Sequence, residues 1–193
     1  MQNHIGVTVR RVSIGVALTA LGAENPAIAD AQVSTHQEAS VHTTQMNIPE
    51  SLRTEHAEIH ADLVAATKAS GEVGAAAREL AAVLHPHFVR EEEIALPPLA
   101  LLAPLARGET TPSMRAVLPM TDSLRAELPR MLEEHVAIHA ATVRLGEVAR
   151  AAGNAGVATL AEKLALHARG EEELFYPAAL LVGDLVRARV PKE

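Results

Sequence analysis

A short histidine motif occurs twice in this 193-residue chain. It reads Glu-His-x-x-Ile-His and places His56 four residues before His60, then, 79 residues later, His135 four residues before His139. Residues four apart lie on the same face of a helix, separated by about 6 Å of rise. Each copy of the motif can therefore present two imidazoles together, and imidazole is a ligand for iron, zinc, copper or nickel.

A second motif, His-x-x-x-Glu-Glu-Glu, follows each copy of the first. It begins at His87 and again at His167, 80 residues later. The same four-residue spacing places Glu91 beside His87 and Glu171 beside His167 on one helix face. Two motifs that recur in the same order at nearly one spacing indicate an internal duplication of a helical hairpin. We expect two hairpins that face each other about a pseudo-two-fold axis.

The repeated residues together predict a metal centre inside a helical bundle. Burying this many imidazoles and carboxylates without a metal would carry a large desolvation cost. The set exceeds what one ion requires, so the simplest interpretation is two metal ions bridged by Glu91 and Glu171. The predicted ligands are His56, His60, His87, Glu91, His135, His139, His167 and Glu171.

Other histidines and glutamates have plainer interpretations. A lone histidine near an apolar stripe is more often a satisfied core residue than a ligand, and His85 fits that description because its repeat position holds Ala165. Runs of glutamate are usually solvated helix faces. We apply that interpretation to Glu92, Glu93, Glu172 and Glu173.

The elements that must position these residues are helices. Hydrophobic residues make up 48% of the chain but aromatic residues only 2%, so the core is built mainly from Ala, Leu and Val, which favours helices over sheets. Caps, glycines and prolines predict long helices and one short final helix, with a long connection over 99–120. The predicted helices span about 51–69, 73–96, 121–152, 155–176 and 177–189.

Composition also excludes several classes of partner. The formal net charge is −7 and no Lys/Arg-rich block occurs beyond Arg10-Arg11, so no nucleic acid partner is expected. The chain has no cysteine, so any metal must be held by nitrogen and oxygen. No apolar run reaches the ~20 residues that span a bilayer, so we expect a soluble protein with no membrane partner.

Residues 1–45 differ from the domain predicted over 46–193. Arg10-Arg11, the interrupted apolar run over 12–23 and the Ala-x-Ala pattern near Ala31 together allow a signal peptide, of the twin-arginine more than the general secretory kind. An upstream extension or a disordered tail is the alternative. The expected location is therefore cytoplasmic, or exported if residues 1–31 act as a leader.

On these motifs, the sequence over about residues 50–185 resembles the hemerythrin family, specifically its bacterial branch with a His-His-Glu cation-binding domain. The resemblance implies an all-α, up-down-up-down four-helix bundle that holds two iron ions with a solvent-derived oxygen bridge. It assigns as ligands His56, His87, His135 and His167 with bridging Glu91 and Glu171, makes His139 a further candidate, and leaves His60 less defined.

The sequence also departs from family patterns. Animal oxygen carriers have an aspartate five residues after the fourth-helix histidine, whereas this chain has Glu171 at four and Glu172 at five. Simple oxygen transport is therefore not expected, and Glu172 is a rival bridge. Relatives that repair iron–sulfur clusters carry a cysteine-bearing segment, and the absence of cysteine argues against that role.

The resemblance implies a non-haem di-iron protein that binds or senses dioxygen, peroxide or nitric oxide, in oxidative or nitrosative stress, as a monomer or weak homodimer. A catalase-like, peroxide-decomposing enzyme is one alternative, and iron storage or structural metal binding is another. If His60 or His139 does not coordinate, the corresponding iron would have an open coordination position. The residues expected to line a small apolar pocket are Ala57, Leu84, Val136, Ile138 and Leu164.

Overall fold

The computed structural model describes residues 47–191, which are helical throughout with short connections and no strand. The predicted all-α fold is thus confirmed. The N-terminal extension predicted over residues 1–45, and the alternative of a leader over residues 1–31, lie outside the described residues. The α-helices are α1 (Glu50–Ala66), α2 (Gly71–Ile94), α3 (Leu102–Ala106), α4 (Leu118–Ala151), α5 (Ala155–Gly170) and α6 (Tyr176–Arg189).

Short non-α segments connect some of these helices. A π-helical turn, Glu171–Phe175, joins α5 directly to α6, and 3-10 turns cover Pro97–Leu101 and Pro112–Val117. None of the helices between residues 47 and 191 is both long and apolar enough to cross a bilayer.

Two helical hairpins form the bundle. The α1–α2 hairpin turns near Gly71, and the α4–α5 hairpin turns at Gly153; both glycines have a positive φ, of 65° and 67°. Glycine adopts this left-handed conformation without the steric cost that a Cβ would add. α2 packs on α4, and α1 packs on both α2 and α5, so the two hairpins enclose one interior.

The fourth long helix continues past the predicted stop at Tyr176. The Tyr176 N–H bonds to the carbonyl of Glu171, five residues back, which widens the turn before Pro177. Pro177 then lies at the start of α6, where its missing N–H is tolerated. The repeat position shows the same widened turn, since the Leu96 N–H bonds to the Glu91 carbonyl at 3.0 Å, but two consecutive prolines follow there and the α-helix ends.

Two apolar clusters fill the bundle on either side of a polar layer. One cluster contains Ile59, Leu84, Ile138 and Leu164, each three residues from a repeated histidine. The other contains Leu52, Ile94, Met131 and Tyr176. Full burial of one such aliphatic side chain contributes about 1.5–3 kcal/mol, so these clusters provide much of the stability and hold the polar layer between them.

Candidate metal centre

Six polar side chains meet in the layer between the apolar clusters. They come from α1, α2, α4, α5 and the first residue of the π-helical turn. None is more than 4% exposed. The six are His56, His87, Glu91, His135, His167 and Glu171, all of them among the predicted ligands.

One half of the site is built around His87 and His135. Their Nε2 atoms lie 2.8 Å apart. With Glu91 and Glu171 they form a group whose nearest nitrogen and oxygen atoms all lie within 4.8 Å of one another.

The other half is built around His56 and His167, whose Nε2 atoms lie 3.1 Å apart. Glu171 belongs to this group as well. Its Oε1 lies 2.7 Å from His167 Nε2, and its Oε2 lies 3.5 Å from His135 Nε2. A single carboxylate therefore faces both histidine pairs, which is the arrangement a bridging ligand requires.

Glutamates outside the layer contact the outer nitrogens of the same histidines. The Nδ1 atom of His56 lies 3.3 Å from Glu92, and at the matched position that of His135 lies 2.7 Å from Glu172. Both glutamates are nearly half exposed, so they are solvated as predicted and also hydrogen-bonded to a histidine. Glu172, the rival bridge, thus lies on the outer side of His135, whereas Glu171 lies inside.

The remaining two histidines have the same kind of neighbour on the adjacent helix. The Nδ1 atom of His87 lies 2.8 Å from Glu134, and that of His167 lies 3.4 Å from Glu55, without a hydrogen bond. Both glutamates immediately precede a histidine of the first motif. Each of the four imidazoles therefore has a carboxylate behind it, as metal-bound histidines generally do.

The chemistry of these groups fits a cation. A carboxylate only accepts hydrogen bonds, so the Nδ1 atoms of His87 and His135 carry the hydrogen and, in the neutral rings, their Nε2 atoms present lone pairs to each other. Two lone pairs at 2.8 Å repel unless a positive charge lies between or beside them. Glu91 Oε2 is also buried without a hydrogen-bond partner among residues 47–191, and the 2.7 Å contact of Glu171 Oε1 with His167 Nε2 lacks the geometry of a hydrogen bond. Metal coordination would satisfy all these atoms.

A profile of the hemerythrin HHE cation-binding domain matches residues 47–179, more than half of the chain. The chain belongs to the hemerythrin family. Searches of curated proteins and of solved structures gave no match. Within the hemerythrin domain, the buried His/Glu groups fit a metal site, with the nitrogen and oxygen donors that suit iron.

The two inward carboxylates of the hemerythrin domain have opposite pKa shifts. Burial raises the pKa of Glu91, and the charge of Glu171 raises it further. Burial also raises the pKa of Glu171, but contacts with His167 and His56 outweigh it and lower the pKa to about 2. Similarly, burial lowers the pKa of His87, but Glu91 and Glu134 outweigh it and raise the pKa to about 9. The metal-free cluster therefore holds protons where a metal would supply positive charge.

Tyr176 is a site residue that the sequence analysis missed. Its hydroxyl donates a hydrogen bond to Glu91 Oε1 and lies 3.1 Å from His135 Nε2 and 3.3 Å from His87 Nε2. Burial, with the charges of Glu91 and Glu171, raises the pKa of this phenol, so it stays protonated. Its repeat position holds Leu96, so the phenol serves only one half of the site. The available signal was that the chain's only tyrosine interrupts the repeat.

An aromatic residue distinguishes the other half. The Phe88 ring stacks on His56, with ring centroids 4.2 Å apart and planes at 18°, and meets His167 edge-on at 5.8 Å. Its repeat position holds Ala168. The two histidine pairs thus have different neighbours, an apolar ring beside one and a hydroxyl donor beside the other.

The structure does not bring two of the eight predicted ligands to the cluster. His60 and His139 are exposed. A four-residue step advances a helix by about 400°, so His60 and His139 are rotated about 40° from His56 and His135 around the helix axis. One turn after His56 and His135, the inward position is taken by Ile59 and Ile138, which are buried. The pocket prediction needs a similar correction: Leu84, Ile138 and Leu164 are buried, whereas Ala57 and Val136 are exposed, Val136 by 72%.

Proposed function

We propose that this hemerythrin domain holds two iron ions, bridged by Glu91, Glu171 and a solvent-derived oxygen, and that it binds dioxygen, peroxide or nitric oxide. The observation that carries the proposal is the placement of Glu171 between the two histidine pairs. Each iron would take the Nε2 atoms of one pair, His56 with His167 or His87 with His135.

The number of donors favours exogenous ligand binding over a purely structural role. Each ion would receive two imidazole nitrogens and a share of the two carboxylates. With His60 and His139 exposed, no further histidine among residues 47–191 completes either ion. Non-haem iron sites that keep open positions in this way bind and activate small oxidants.

The surroundings of the cluster favour a small uncharged ligand. Apolar side chains lie on both sides of the layer, and the six polar residues are almost inaccessible to water. When bound, iron would supply reversible electron transfer and a coordination position for the ligand. The Tyr176 hydroxyl has one hydrogen, which Glu91 accepts in this structure; turned away from Glu91, it would donate that hydrogen bond to a ligand atom beside His87 and His135.

The same hydroxyl favours a second candidate, catalase-like decomposition of peroxide. The balanced reaction converts two molecules of hydrogen peroxide to two of water and one of dioxygen. A fixed O–H donor within the site can hold a peroxide oxygen in place. The alternatives thus share one site and differ in whether the bound oxidant is turned over.

Metal analysis of protein purified without added metal tests the proposal first. We expect two irons per chain, and about one or none in Glu171→Gln, since the glutamine cannot bridge as a carboxylate does. Glu173→Gln is the matched control, because Glu173 belongs to the same glutamate run and is exposed. One zinc, or no metal, in the unaltered chain would contradict the proposal, and many irons per chain would favour storage.

Stopped-flow spectroscopy of the iron-loaded protein then separates the two candidates. A stable, reversible charge-transfer band after mixing with dioxygen, nitric oxide or peroxide supports binding. Sustained oxygen evolution from hydrogen peroxide at substoichiometric protein supports turnover. Absence of both responses would exclude the two functions. It would not bear on the metal content, which the metal analysis tests separately.

A further inference from the structure

A cleft of about 370 Å³ opens between α1 and α2 on the outer side of the His56 half of the cluster. Two exposed histidines line it, His60 from α1 and His85 from α2. Their ring centroids lie 5.9 Å apart. Neither belongs to the buried cluster, and His85 was predicted to be an ordinary core residue, which its exposure contradicts.

We propose that His60 and His85 form a surface site that captures a divalent metal ion and that the cleft delivers the ion to the buried cluster at His56. Metal binding by His60 and His85 is inferred from the geometry of these two side chains alone. The delivery step rests on the function proposed above, because it requires a buried metal centre to fill.

The spacing of the two rings suits one shared ion. Metal–nitrogen distances of about 2.0–2.1 Å place the centroids of two imidazoles on one ion about 4.5 Å apart at a 90° angle and about 5.2 Å apart at the tetrahedral angle. The observed 5.9 Å separation exceeds the tetrahedral value by less than an ångström. Both rings are tilted, at 47° to each other, and both are exposed, so small rotations of χ angles can bring their nitrogens onto one ion.

The inner wall of the cleft reaches a proposed iron ligand. His56, Phe88 and Glu92 line the same cleft as His60 and His85. Phe88 is 6% exposed and stacks on His56 at 4.2 Å, so its ring separates the cleft from the cluster. Glu92 is nearly half exposed and contacts His56 Nδ1 at 3.3 Å. The cleft thus holds a carboxylate in contact with the buried imidazole, in addition to the two exposed imidazoles.

The duplicated half of the chain lacks these features. The positions equivalent to His60, His85 and Phe88 are His139, Ala165 and Ala168. His139 is exposed like His60 but has alanine where His60 has a second imidazole. The capture site therefore serves one half only, and His139 provides a matched control for removing a surface histidine.

A calorimetric titration of the iron-loaded protein with Ni²⁺ tests capture directly. We expect one Ni²⁺ site that His60→Ala or His85→Ala abolishes and that His139→Ala retains. Persistence of that site in either of the first two variants would overturn the proposal. This result does not depend on the buried centre, since Ni²⁺ binding by the pair can be present or absent whether or not the protein contains iron.

Anaerobic reloading of chelator-treated protein with Fe²⁺ tests delivery. We expect reloading to be about tenfold slower in His60→Ala and His85→Ala, because capture beside the cluster raises the effective concentration of the ion. The final iron content should equal that of the unaltered chain and of His139→Ala. Equal reloading rates in all variants would overturn delivery, whereas failure of the unaltered chain to take up any iron would overturn the proposed function and delivery together.

Discussion

The carboxylate of Glu134 holds His87 in position for a metal, and Glu134→Gln removes its charge while keeping its size. One oxygen of Glu134 accepts a hydrogen bond from His87 Nδ1 at 2.8 Å, and the other accepts one from Arg130 at 2.8 Å. The carboxylate therefore fixes both the tautomer and the ring orientation of His87. It also increases the basicity of the nitrogen that faces the cluster.

The expected loss of metal affinity follows from this contact. Replacing a carboxylate behind a metal-bound histidine costs about 10–100-fold in affinity. Glu134 is 31% exposed, so water screens its charge, and glutamine can still accept the hydrogen bond from His87. We therefore expect the lower end of the range, about tenfold, or ~1.4 kcal/mol. Glu134 stabilises a proton on His87 as well, but a doubly charged ion gains more from the same carboxylate.

Anaerobic competition with a ferrous chelator of known affinity measures this loss. The iron retained by each variant is followed as the chelator concentration rises. Glu133→Gln is the control, since Glu133 is exposed on the same turn of α4. If Glu134→Gln and Glu133→Gln retain iron equally, the role assigned to the carboxylate behind His87 is wrong.

Further outcomes follow from the same site. Removing iron with a chelator should lower the melting temperature. An ion that binds only the folded state, at a free concentration 1,000 times its Kd, adds about 4 kcal/mol to the free energy of unfolding. An unchanged calorimetric melting curve would contradict this. Tyr176→Phe should leave iron content unchanged but speed the decay of any ligand band, since the phenol donates its hydrogen bond beside His87; equal decay would exclude that role. Burial lowers the pKa of His87, but Glu91 and Glu134 outweigh it and raise the pKa of the metal-free ring to about 9, so the metal must displace a proton at neutral pH. Iron affinity should therefore rise by up to about tenfold per pH unit toward pH 9, and a flat profile in the chelator competition would contradict this.

Much of the candidate site could be predicted because the duplication is visible in the order of residues. The four-residue spacing of His87 and Glu91, repeated at His167 and Glu171, places each pair on one helix face whatever the surroundings. The structure brings these four residues together with His56 and His135. The all-α fold follows from the same patterns and from the low aromatic content.

The rest depends on packing that spacing alone does not determine. Whether His60 is buried beside His56 depends on how α1 is rotated about its axis against the neighbouring helices. In the structure, the buried residue one turn after His56 is Ile59. The position of Tyr176 depends on the π-helical turn, which shifts the register of every residue after Glu171. That shift arises from hydrogen bonding ahead of Pro177, so helical periodicity did not indicate it.

Diffraction from crystals of the protein purified without added metal, measured on both sides of the iron absorption edge, locates iron directly. We expect two anomalous peaks in the layer between the apolar clusters, one beside the Nε2 atoms of His56 and His167 and one beside those of His87 and His135. Glu171 should lie between the peaks. A single peak, peaks outside this layer, or no iron signal there would contradict the two-iron centre.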